Sequence, residues 1–416
     1  MYNRLIDFLD KYKILYELQF GFRKGRSTEQ ALITLVDKVS SAIDGGNFVV
    51  GIFLDFSKAF DTVNHDILIS KLEHYGIRGT ALNWFEDYLC NRNQYVTVNS
   101  AKSGTKIVKC GVPQGSILGP LLFLIYINDL YNVVSYSVPL LFADDTNLFF
   151  TGKNPDQVSN AINSELQDIN QWLQANKLSL NVSKTHYMIF SSKKMHISDI
   201  SLKIDGSNIK RVYLTKFLGV QIDPKFHWDA HINYITKKLS KCIGILCKAR
   251  RILNTDTLKS LYYTFAYPYL IYCNIVWGDT YQIHLNKLLK IQKKIIRIIY
   301  SGKNFSDSQS VFVKLKVLNI NQIHYYLVST FMYKLTNNLL PDNFTSMFTL
   351  LSETHNYFTR QFGTLKIPLC KTNMSRRNIR YKGVIIWNKI CNISILFNSI
   401  DFFKAHIKQS LIFGLL

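Results

Sequence analysis

The sequence of 416 residues is short of acidic side chains: 28 Asp and Glu stand against 50 Lys and Arg, a formal net charge of +22. This imbalance argues against a chain whose partners are neutral or basic and indicates a polyanionic partner. The excess is uneven, because residues 1–224 carry about +2 and residues 225–416 about +20. The two parts of the chain therefore need separate explanations.

Cysteine is sparse and follows no metal-binding or disulfide pattern. The seven cysteines are an odd number and widely spread, and they form neither a CxxC pair nor a Cys/His cluster with zinc-ligand spacing. The N-terminus shows no secretory signal, since Asp7 and Asp10 interrupt the apolar segment that a signal requires. These absences argue against a disulfide-stapled secreted domain and a zinc module. They predict reduced thiols and an intracellular protein, with cytoplasm and nucleus both left open.

Long uncharged runs are equally scarce. The stretch 261–278 lacks charged residues over the length of a spanning helix, but it contains Pro268 and five tyrosines and is flanked by basic segments. We expect a buried helix pair of a soluble domain here, with a membrane span as the alternative. No internal repeat and no low-complexity tract is found.

The composition supports a substantial core, because 47% of the residues are hydrophobic and 19% are charged. This length corresponds to about two to four structural units. Apolar residues at helical spacing predict an amphipathic helix over 29–43, and the apolar run 48–55 predicts a buried strand that ends in a carboxylate.

Two hairpins are predicted further along the chain. Alternation predicts strands at 94–98 and 105–109 around Gly104, and two apolar strands within 139–150 are predicted to fold around 143–146. Residues 178–190 and 213–222 are also predicted to be strands. Beyond Pro224 strand signals nearly vanish, so helices are predicted for most of 231–416, and Pro224 is the main predicted domain boundary.

Carboxylates end these predicted strands. Asp55 closes one apolar strand, and Asp144 with Asp145 lies at a hairpin tip. Brought together, they could hold two divalent ions about 3.5 to 4 Å apart, which activate a primer hydroxyl and stabilise the leaving pyrophosphate. Oxygen ligands suit Mg²⁺. A single Asp taken alone is more simply a solvated loop carboxylate.

An ordered series of motifs then resembles the reverse transcriptase of non-LTR (LINE-type, CR1/jockey-like) retrotransposons. In chain order the motifs are Gln19-Phe-Gly-Phe-Arg-Lys-Gly-Arg-Ser-Thr28, Phe53-Leu-Asp-Phe-Ser-Lys-Ala-Phe-Asp61, Gly111-Val-Pro-Gln-Gly-Ser-Ile-Leu-Gly-Pro120, Phe142-Ala-Asp-Asp145, Trp172 with Asn176-Lys-Leu-Ser-Leu-Asn181 and Lys184, and Lys216-Phe-Leu-Gly219. The match runs over about 3–224, and a weaker similarity continues through Arg376 to Trp387.

The resemblance implies a role for individual residues. It implies Asp55, Asp144 and Asp145 as catalytic metal ligands and Lys184 as a general acid for the leaving pyrophosphate. For the nucleotide site it implies Arg23, Lys24 or Arg26 at the triphosphate, Phe60 against the sugar, and Gln114 with Gly115 at the incoming nucleotide. It also implies a primer grip, formed by Phe217, Leu218 and Gly219. Outside the family context Phe60 reads as core, Phe217-Leu218-Gly219 as strand, and the basic residues as a solvated loop.

The excess positive charge of the later segments receives a rationale from the same resemblance. The basic side chains Lys237, Lys238, Lys241, Lys248, Arg250 and Arg251 resemble a thumb that grips a nucleic-acid duplex through its phosphates. Arg376 and Arg377 are candidates for further contacts with template RNA or target DNA. A solvated charged face explains any one of these groups equally well.

The fold class implied is α+β, a right-hand polymerase. It comprises partial fingers (1–47), a palm of antiparallel sheet packed on helices with inserted fingers elements (48–224), an α-helical thumb (225–300) and a mostly helical, basic C-terminal region (301–416). The implied partners are template RNA, a DNA primer or target DNA, and deoxynucleoside triphosphates, with two Mg²⁺ ions for which Mn²⁺ can substitute. No membrane and no partner protein is expected.

Two function hypotheses arise from these expectations. The first is an RNA-directed DNA polymerase. The second starts from the expectation that the chain is N-terminally truncated within the family pattern, and it is a catalytically inactive remnant that only binds nucleic acid.

Overall fold

A computed structural model describes residues 1–90, 92–192, 197–300, 308–353, 364–394, 397 and 399–415. The chain forms two compact units. The first comprises Met1–Ser27 and Gly46–Val212, and the second comprises Thr28–Gly45 and Tyr213–Leu416.

The first unit contains both helices and strands. The chain begins with two helices and one strand, of which the second helix belongs to the second unit. Helix α1 spans Tyr2–Lys11, helix α2 (Thr28–Asp44) belongs to the second unit, and strand β1 spans Phe48–Leu54. The rest of the first unit consists of α3 (His65–His74), α4 (Thr80–Leu89), β2 (Asn93–Gln94), β3 (Thr97–Val98), β4 (Ala101–Lys102), β5 (Lys106–Ile107), α5 (Leu118–Ile127), β6 (Val138–Phe142), β7 (Asp145–Gly152), α6 (Pro155–Ala175), β8 (His186–Phe190), β9 (Lys203–Ile204), β10 (Ser207–Asn208) and β11 (Lys210–Arg211).

A five-stranded sheet with the order β11-β8-β1-β7-β6 organises this unit. The central strand β1 pairs antiparallel with both β7 and β8, and β6 pairs antiparallel with β7, while the two-residue edge strand β11 runs parallel to β8. Every residue of β1 is buried, as expected for an apolar strand covered on both faces. The sheet therefore fixes the position of the residue that comes directly after β1, which is Asp55.

Helices α1, α3, α5 and α6 supply most of the hydrophobic core against this sheet. Helix α5 is apolar around almost its whole circumference and is buried accordingly, including Phe123 and Tyr126. Helix α6 begins at Pro155 behind the Asn154 side chain, which accepts the N–H groups of Asp156 and Gln157. Its core face runs from Val158 to Leu173 at helical spacing, and Pro155 suits the first turn of a helix.

Over its described residues, the second unit is mainly helical and contains one short hairpin. That hairpin consists of β12 (Thr215–Phe217) and β13 (Val220–Ile222). The helices after it are α7 (Asp229–Ala249), α8 (Thr255–Phe265), α9 (Tyr267–Ile271), α10 (Asn274–Trp277), α11 (Gln282–Ile299), α12 (Ser308–Leu315), α13 (Ile320–Thr336), α14 (Asp342–Thr345), α15 (Asn373–Arg376), α16 (Ile379–Ser394) and α17 (Ile400–Phe413).

Three sets of helix contacts stand out in the second unit. Helix α7 packs along α11, and α13 packs against α16 and α17, while α2 contacts α10, α15 and α16. The uncharged stretch 261–278 is divided among α8, α9 and α10, and Pro268 lies at the start of α9. Within the described ranges, no helix has the length and apolarity needed to span a membrane.

Some local details differ from the sequence predictions. The first predicted hairpin turns at Asn99 and Ser100, which both have positive φ, so the prediction of a turn around Gly104 was wrong. Asn in this conformation suits a tight hairpin turn. Residues 178–185 form a loop, and only His186–Phe190 forms the strand predicted there.

The boundaries of the predicted domains differ from those of the two compact units. Helix α2 and the β12–β13 hairpin both belong to the second unit, whereas the predicted ranges assign α2 to the fingers and the hairpin to the palm. Parts of the predicted region 301–416 lie outside the described residues.

Candidate active site

Three carboxylates lie at one edge of the five-stranded sheet, and we call them the carboxylate edge: Asp55, Asp144 and Asp145. In the β1–β7 register Leu54 pairs with Thr146, so Asp55 comes after the last pair on one strand and Asp145 precedes it on the other. Phe142 pairs with Asp145 across the β6–β7 turn, which leaves Ala143 and Asp144 as the turn residues. The sheet register thus brings together three side chains that lie up to ninety positions apart in sequence.

Backbone hydrogen bonds between the segments 55–57 and 179–181 bring Lys184 to the carboxylate edge. The backbone N–H of Ser57 donates to the Ser179 carbonyl (2.8 Å), and the N–H of Asn181 donates to the Asp55 carbonyl (2.7 Å). The chain then turns through Asn181, whose carbonyl accepts the N–H of Lys184. As a result, Lys184 Nζ lies 3.5 Å from Asp55 Oδ2.

The buried amide of Gln19 fixes the turn that carries Asp144. Gln19 is 2% exposed, and its Oε1 accepts the backbone N–H groups of Gly21 (2.8 Å) and Ala143 (2.9 Å). Ala143 has φ +54°, and a Cβ on Gly21 would lie 2.2 Å from the Ala143 nitrogen. Only glycine fits there. This role of Gln19 and Gly21 was not foreseen, although both lie in a motif singled out from the sequence.

Mutual repulsion and partial burial shape the electrostatics of the carboxylate edge. Desolvation, then the charges of Asp144 and Asp55, raise the pKa of Asp145 to about 6. Desolvation also raises the pKa of Asp144, and the Asp55 charge adds to the rise, against a lowering backbone hydrogen bond. Carboxylates held near one another in this way bind a cation favourably.

The donor chemistry of the carboxylate edge fits hard divalent cations. Among the described residues, no group of three or more His, Cys, Asp or Glu side chains is arranged so that it could hold a metal ion by itself, and this includes Asp55, Asp144 and Asp145. Mg²⁺ is usually held by one or two carboxylates, with waters and substrate phosphates as its other ligands. The carboxylate edge therefore fits a metal that enters with a phosphate substrate.

The Gln114 turn is pinned to the segment after Asp55. The N–H of Gly111 donates to the Val63 carbonyl (2.7 Å), and the N–H of Val112 donates to the Phe60 carbonyl (2.9 Å).

Gln114 is exposed, and its Nε2 donates to Asp61 Oδ1 at 2.7 Å. Gly115 has φ +81°, a conformation that explains glycine at this position. Asp61, the last residue of its motif, thus fixes the Gln114 side chain, a role that its position in the sequence does not reveal.

Phe60 is fixed by aromatic packing. Its ring stacks on the fully buried Phe123 with centroids 4.2 Å apart, and Phe22 meets it edge-on at 6.1 Å. The ring is partly exposed. One face is therefore held by the core while the rest can meet a ligand.

The three basic residues of the loop 23–26 are not equivalent. Arg23 donates from Nη1 to the Tyr16 carbonyl (2.8 Å), and Arg26 donates from Nη1 to the Glu17 carbonyl (2.6 Å) while lying over the Phe20 ring. Lys24 is exposed. The two arginines thus brace the loop.

Comparison with known proteins accounts for this combination of carboxylates, glutamine turn and basic loop. The model of the family "Reverse transcriptase (RNA-dependent DNA polymerase)" matches residues 1–222. The chain belongs to the reverse transcriptase family. Reverse transcriptases use divalent metal ions, in agreement with the donor chemistry above.

Relatives from insect mobile elements extend the similarity. The chain is 28% identical over 316 residues to the probable RNA-directed DNA polymerase from transposon BS of Drosophila melanogaster, covering 71% of this chain and 34% of that protein. It is 28% identical over 325 residues to the RNA-directed DNA polymerase from mobile element jockey of the same species, covering 76% and 35%. The chain thus spans about a third of the length of these curated relatives, and the expected LINE-type, jockey-like kinship is confirmed.

Among solved structures, telomerase from Candida albicans in complex with a fragment of telomeric RNA aligns with a TM-score of 0.44 and 11% identity. That alignment covers 76% of this chain and 58% of the telomerase chain.

In the second unit of this reverse transcriptase, the expected primer-grip residues occupy the tight β12–β13 turn. Phe217 pairs with Val220, while Leu218 and Gly219 both have positive φ. Tyr272 Oη donates to the Leu218 carbonyl at 2.7 Å, and a Cβ on Gly219 would lie 3.2 Å from the Tyr272 ring. Tyr272 therefore braces the turn, a role that its sequence position alone does not reveal.

Helix α7 carries most of the predicted thumb cations. Its apolar side buries Ile232, Ile235, Leu239 and Leu246, and we call the opposite side, with the exposed Lys237, Lys241 and Lys248, the basic face. Arg250 and Arg251 are exposed just beyond the helix, and Lys238 is half-buried with Nζ over the Tyr234 ring. An amphipathic helix of this kind presents its charges to solvent.

Arg376 and Arg377 differ in their surroundings. Arg376 is exposed at the end of α15. The Arg377 guanidinium lies 3.4 Å from the centroid of the Tyr281 ring, a cation–π contact that holds it against its own unit.

Proposed function

We propose that this reverse transcriptase is an RNA-directed DNA polymerase that adds deoxynucleotides to the 3′-hydroxyl of a primer on an RNA template. The observation that carries the proposal is the β1–β7 register, whose last pair joins Leu54 to Thr146, the neighbours of Asp55 and Asp145, beside the Asp144 turn. Strand ends of a buried sheet hold these carboxylates with little freedom. Rigid positioning of this kind is what phosphoryl and nucleotidyl transfer demand of a protein.

The proposed cofactor is a pair of Mg²⁺ ions held by Asp55, Asp144 and Asp145, with Mn²⁺ as a substitute. Bound there, the metals would lower the pKa of the primer hydroxyl and stabilise charge on the pyrophosphate. We assign proton transfer to the leaving group to Lys184, and its Nζ position 3.5 Å from Asp55 Oδ2 supports this assignment. Its side chain is 68% exposed, so it can exchange protons with water.

For the incoming deoxynucleotide we assign the sugar to Phe60 and the triphosphate to the loop 23–26. The ring of Phe60 cannot retreat, because Phe123 stacks behind it, and so a 2′-hydroxyl would clash there. Lys24, exposed where Arg23 and Arg26 bind carbonyls, is the best placed of the three for the phosphates. Gln114, steadied by Asp61, and Gly115 would contact the nucleotide.

For the template–primer we assign the β12–β13 turn as primer grip and the basic face of α7, with Lys238, Arg250 and Arg251, as the duplex-binding thumb. Arg376 is proposed to add a contact with nucleic acid, and Arg377 to orient that segment through Tyr281. Contacts with phosphates suit the expected RNA–DNA hybrid, which is recognised by shape and backbone. In this proposal the five-stranded sheet of the first unit forms the palm of a right-hand polymerase.

The test is incorporation of a labelled deoxynucleotide onto a DNA primer annealed to RNA, with Mg²⁺, Mn²⁺ or EDTA in parallel reactions. We expect incorporation with either metal and none with EDTA. A chain that binds the primer–template tightly yet incorporates nothing with either metal would contradict the proposal.

The second candidate function is nucleic-acid binding without catalysis. It is favoured by the charge of about +20 carried by residues 225–416, which needs no carboxylate edge to attract RNA. Its binding would weaken steeply with salt through counterion release.

A further inference from the structure

Residues 92–109 of the first unit form a two-stranded arm. Strand β2 pairs with β5, and β3 pairs with β4 nearer the tip. All residues from Arg92 to Ile107 are exposed, and the exposed fractions of Tyr95, Val96, Val98 and Ile107 lie between 54% and 66%. An isolated hairpin of this size is marginal in water, and large apolar side chains with no core to fill indicate a partner.

The charge of the arm has a single sign. Arg92, Lys102, Lys106 and Lys109 are all exposed, and the sequence has no Asp or Glu between Asp87 and Asp129. The arm belongs to the nearly neutral part of the chain, so the acidic groups that offset the basic ones lie elsewhere. A polyanion is the complementary partner.

Aromatic rings are interleaved with these cations. Lys102 Nζ lies 5.2 Å from the centroid of the Tyr95 ring, and the Arg92 guanidinium lies 5.6 Å from that of Tyr88. Tyr88 in turn stacks on Trp84, which is 39% exposed, with ring planes 9° apart. Rings beside cations are the arrangement on which unpaired bases stack while their phosphates are neutralised.

A cavity of about 660 Å³ lies at the base of the arm. Arg92, Lys109 and Gln114 are among the residues that line it, with Asp61 as its one acidic residue. This volume falls in the range of small-ligand sites and can hold a nucleotide. The cavity thus joins the arm to the turn proposed to contact the incoming nucleotide.

We propose that the arm and this cavity bind single-stranded nucleic acid, namely the unpaired template strand ahead of the primer terminus. The inference deepens the proposed function and rests on it. Stacking and phosphate contacts require unpaired bases and a backbone but no 2′-hydroxyl, so single-stranded RNA and DNA are both expected to bind.

The test measures binding of the full chain in the absence of nucleotides, so that no extension takes place. One ligand is a blunt RNA–DNA hybrid, and the other is the same hybrid with twelve unpaired template nucleotides at the 5′ end, made of RNA or of DNA. Because incorporation is not the readout, failure here is distinguishable from failure of the polymerase proposal.

In the wild-type chain we expect the unpaired extension to tighten binding about tenfold or more. Lys102→Gln, Lys106→Gln and Lys109→Gln together should abolish this gain and flatten the slope of log affinity against log salt by about 2. Affinity for the blunt hybrid should stay unchanged. The matched control, Lys153→Gln, Lys203→Gln and Lys210→Gln, removes three exposed charges from the same unit and should keep the gain.

A second variant keeps the charge and removes the ring. Tyr95→Ser should reduce the gain about fivefold, the lower end of the contribution of one stacked base. Unchanged melting temperatures are expected for both arm variants, because all of the substituted side chains are exposed.

Three results would overturn the inference. In the first, the triple arm variant retains the full gain from the extension. In the second, it loses affinity for blunt and extended hybrids equally, which would mean that the arm contacts duplex. In the third, it alters the sedimentation of the protein with the gain intact, which would make the arm a contact between proteins.

Discussion

The carboxylate edge of the first unit and the basic face of α7 in the second unit are built in opposite ways. At the carboxylate edge, each group depends on distant partners: Asp144 on Gln19, and Lys184 on the backbone pairing of Asn181 with Asp55. The basic face needs only one helix whose apolar side is buried.

This difference predicts different responses to mutation. A group placed through a chain of hydrogen bonds fails when any link shifts, since a misplacement of about 1 Å can cost about a hundredfold in rate. Phosphate contacts instead add up one by one and are screened by salt. Changes at the carboxylate edge should therefore be abrupt, and changes on the basic face should be graded.

Apart from the carboxylates themselves, the largest effect is expected for Lys184→Gln. General-acid catalysis contributes about a hundredfold or more, so the rate of incorporation should fall by about that factor. The melting temperature should stay within about 1 °C, because an exposed ion pair such as Lys184–Asp55 contributes little to stability. A rate within twofold of wild type across the pH range would remove Lys184 from the mechanism.

The next effect tests the link between Gly21 and the Asp144 turn. Gly21→Ala puts a methyl group 2.2 Å from the Ala143 nitrogen, so the turn must move, and incorporation should fall by up to about a hundredfold. Ser201→Ala, at an exposed residue of the same unit and outside the arm 92–109, is the control and should be close to neutral. Equal activity of the two variants would show that the turn tolerates displacement.

A graded effect is expected on the basic face. Lys237→Gln, Lys241→Gln and Lys248→Gln together should weaken binding of an RNA–DNA hybrid about tenfold and make it less dependent on salt. The Lys→Arg triple variant keeps the charge and should bind like wild type. Equal weakening by both triple variants would point to helix packing and not to phosphate contacts.

The smallest effect concerns pH and stability. In the folded protein the pKa of Asp145 is raised to about 6, so the metal-free protein loses stability as pH rises from about 4 to 6. Asp145→Asn lacks this penalty. Its melting temperature should exceed that of wild type by on the order of 2 °C above pH 6, and the difference should vanish near pH 4. A higher melting temperature for wild type at pH 8 would contradict the repulsion.

Local patterns in the sequence were sufficient to predict the elements that bury apolar side chains. The helix 29–43, the strand 48–55 and the hairpin around Asp144 are predictable from apolar spacing, because burial decides their structure. The position of the turn at Asn99 and Ser100 was not predicted correctly. The residues around it are exposed, so no burial pattern marks the turn, and backbone conformation alone sets its position.

For the candidate site as well, some residues could be predicted from local sequence patterns and others could not. The carboxylates stand out in sequence because charge at the end of an apolar strand is unusual. The supporting contacts of Gln19 with Ala143, Gln114 with Asp61 and Tyr272 with Leu218 join residues 53 to 124 positions apart. No local periodicity encodes such pairs, so they emerge only from the folded chain.

The central claim is that the carboxylate edge catalyses nucleotidyl transfer, so that the protein does more than bind nucleic acid. The most direct measurement compares wild type with Asp144→Asn for both primer extension and binding of the same RNA–DNA hybrid. We expect extension to fall about a thousandfold, equivalent to about 4 kcal/mol, with binding within twofold. Equal extension by both proteins, or loss of binding in proportion to activity, would contradict the claim.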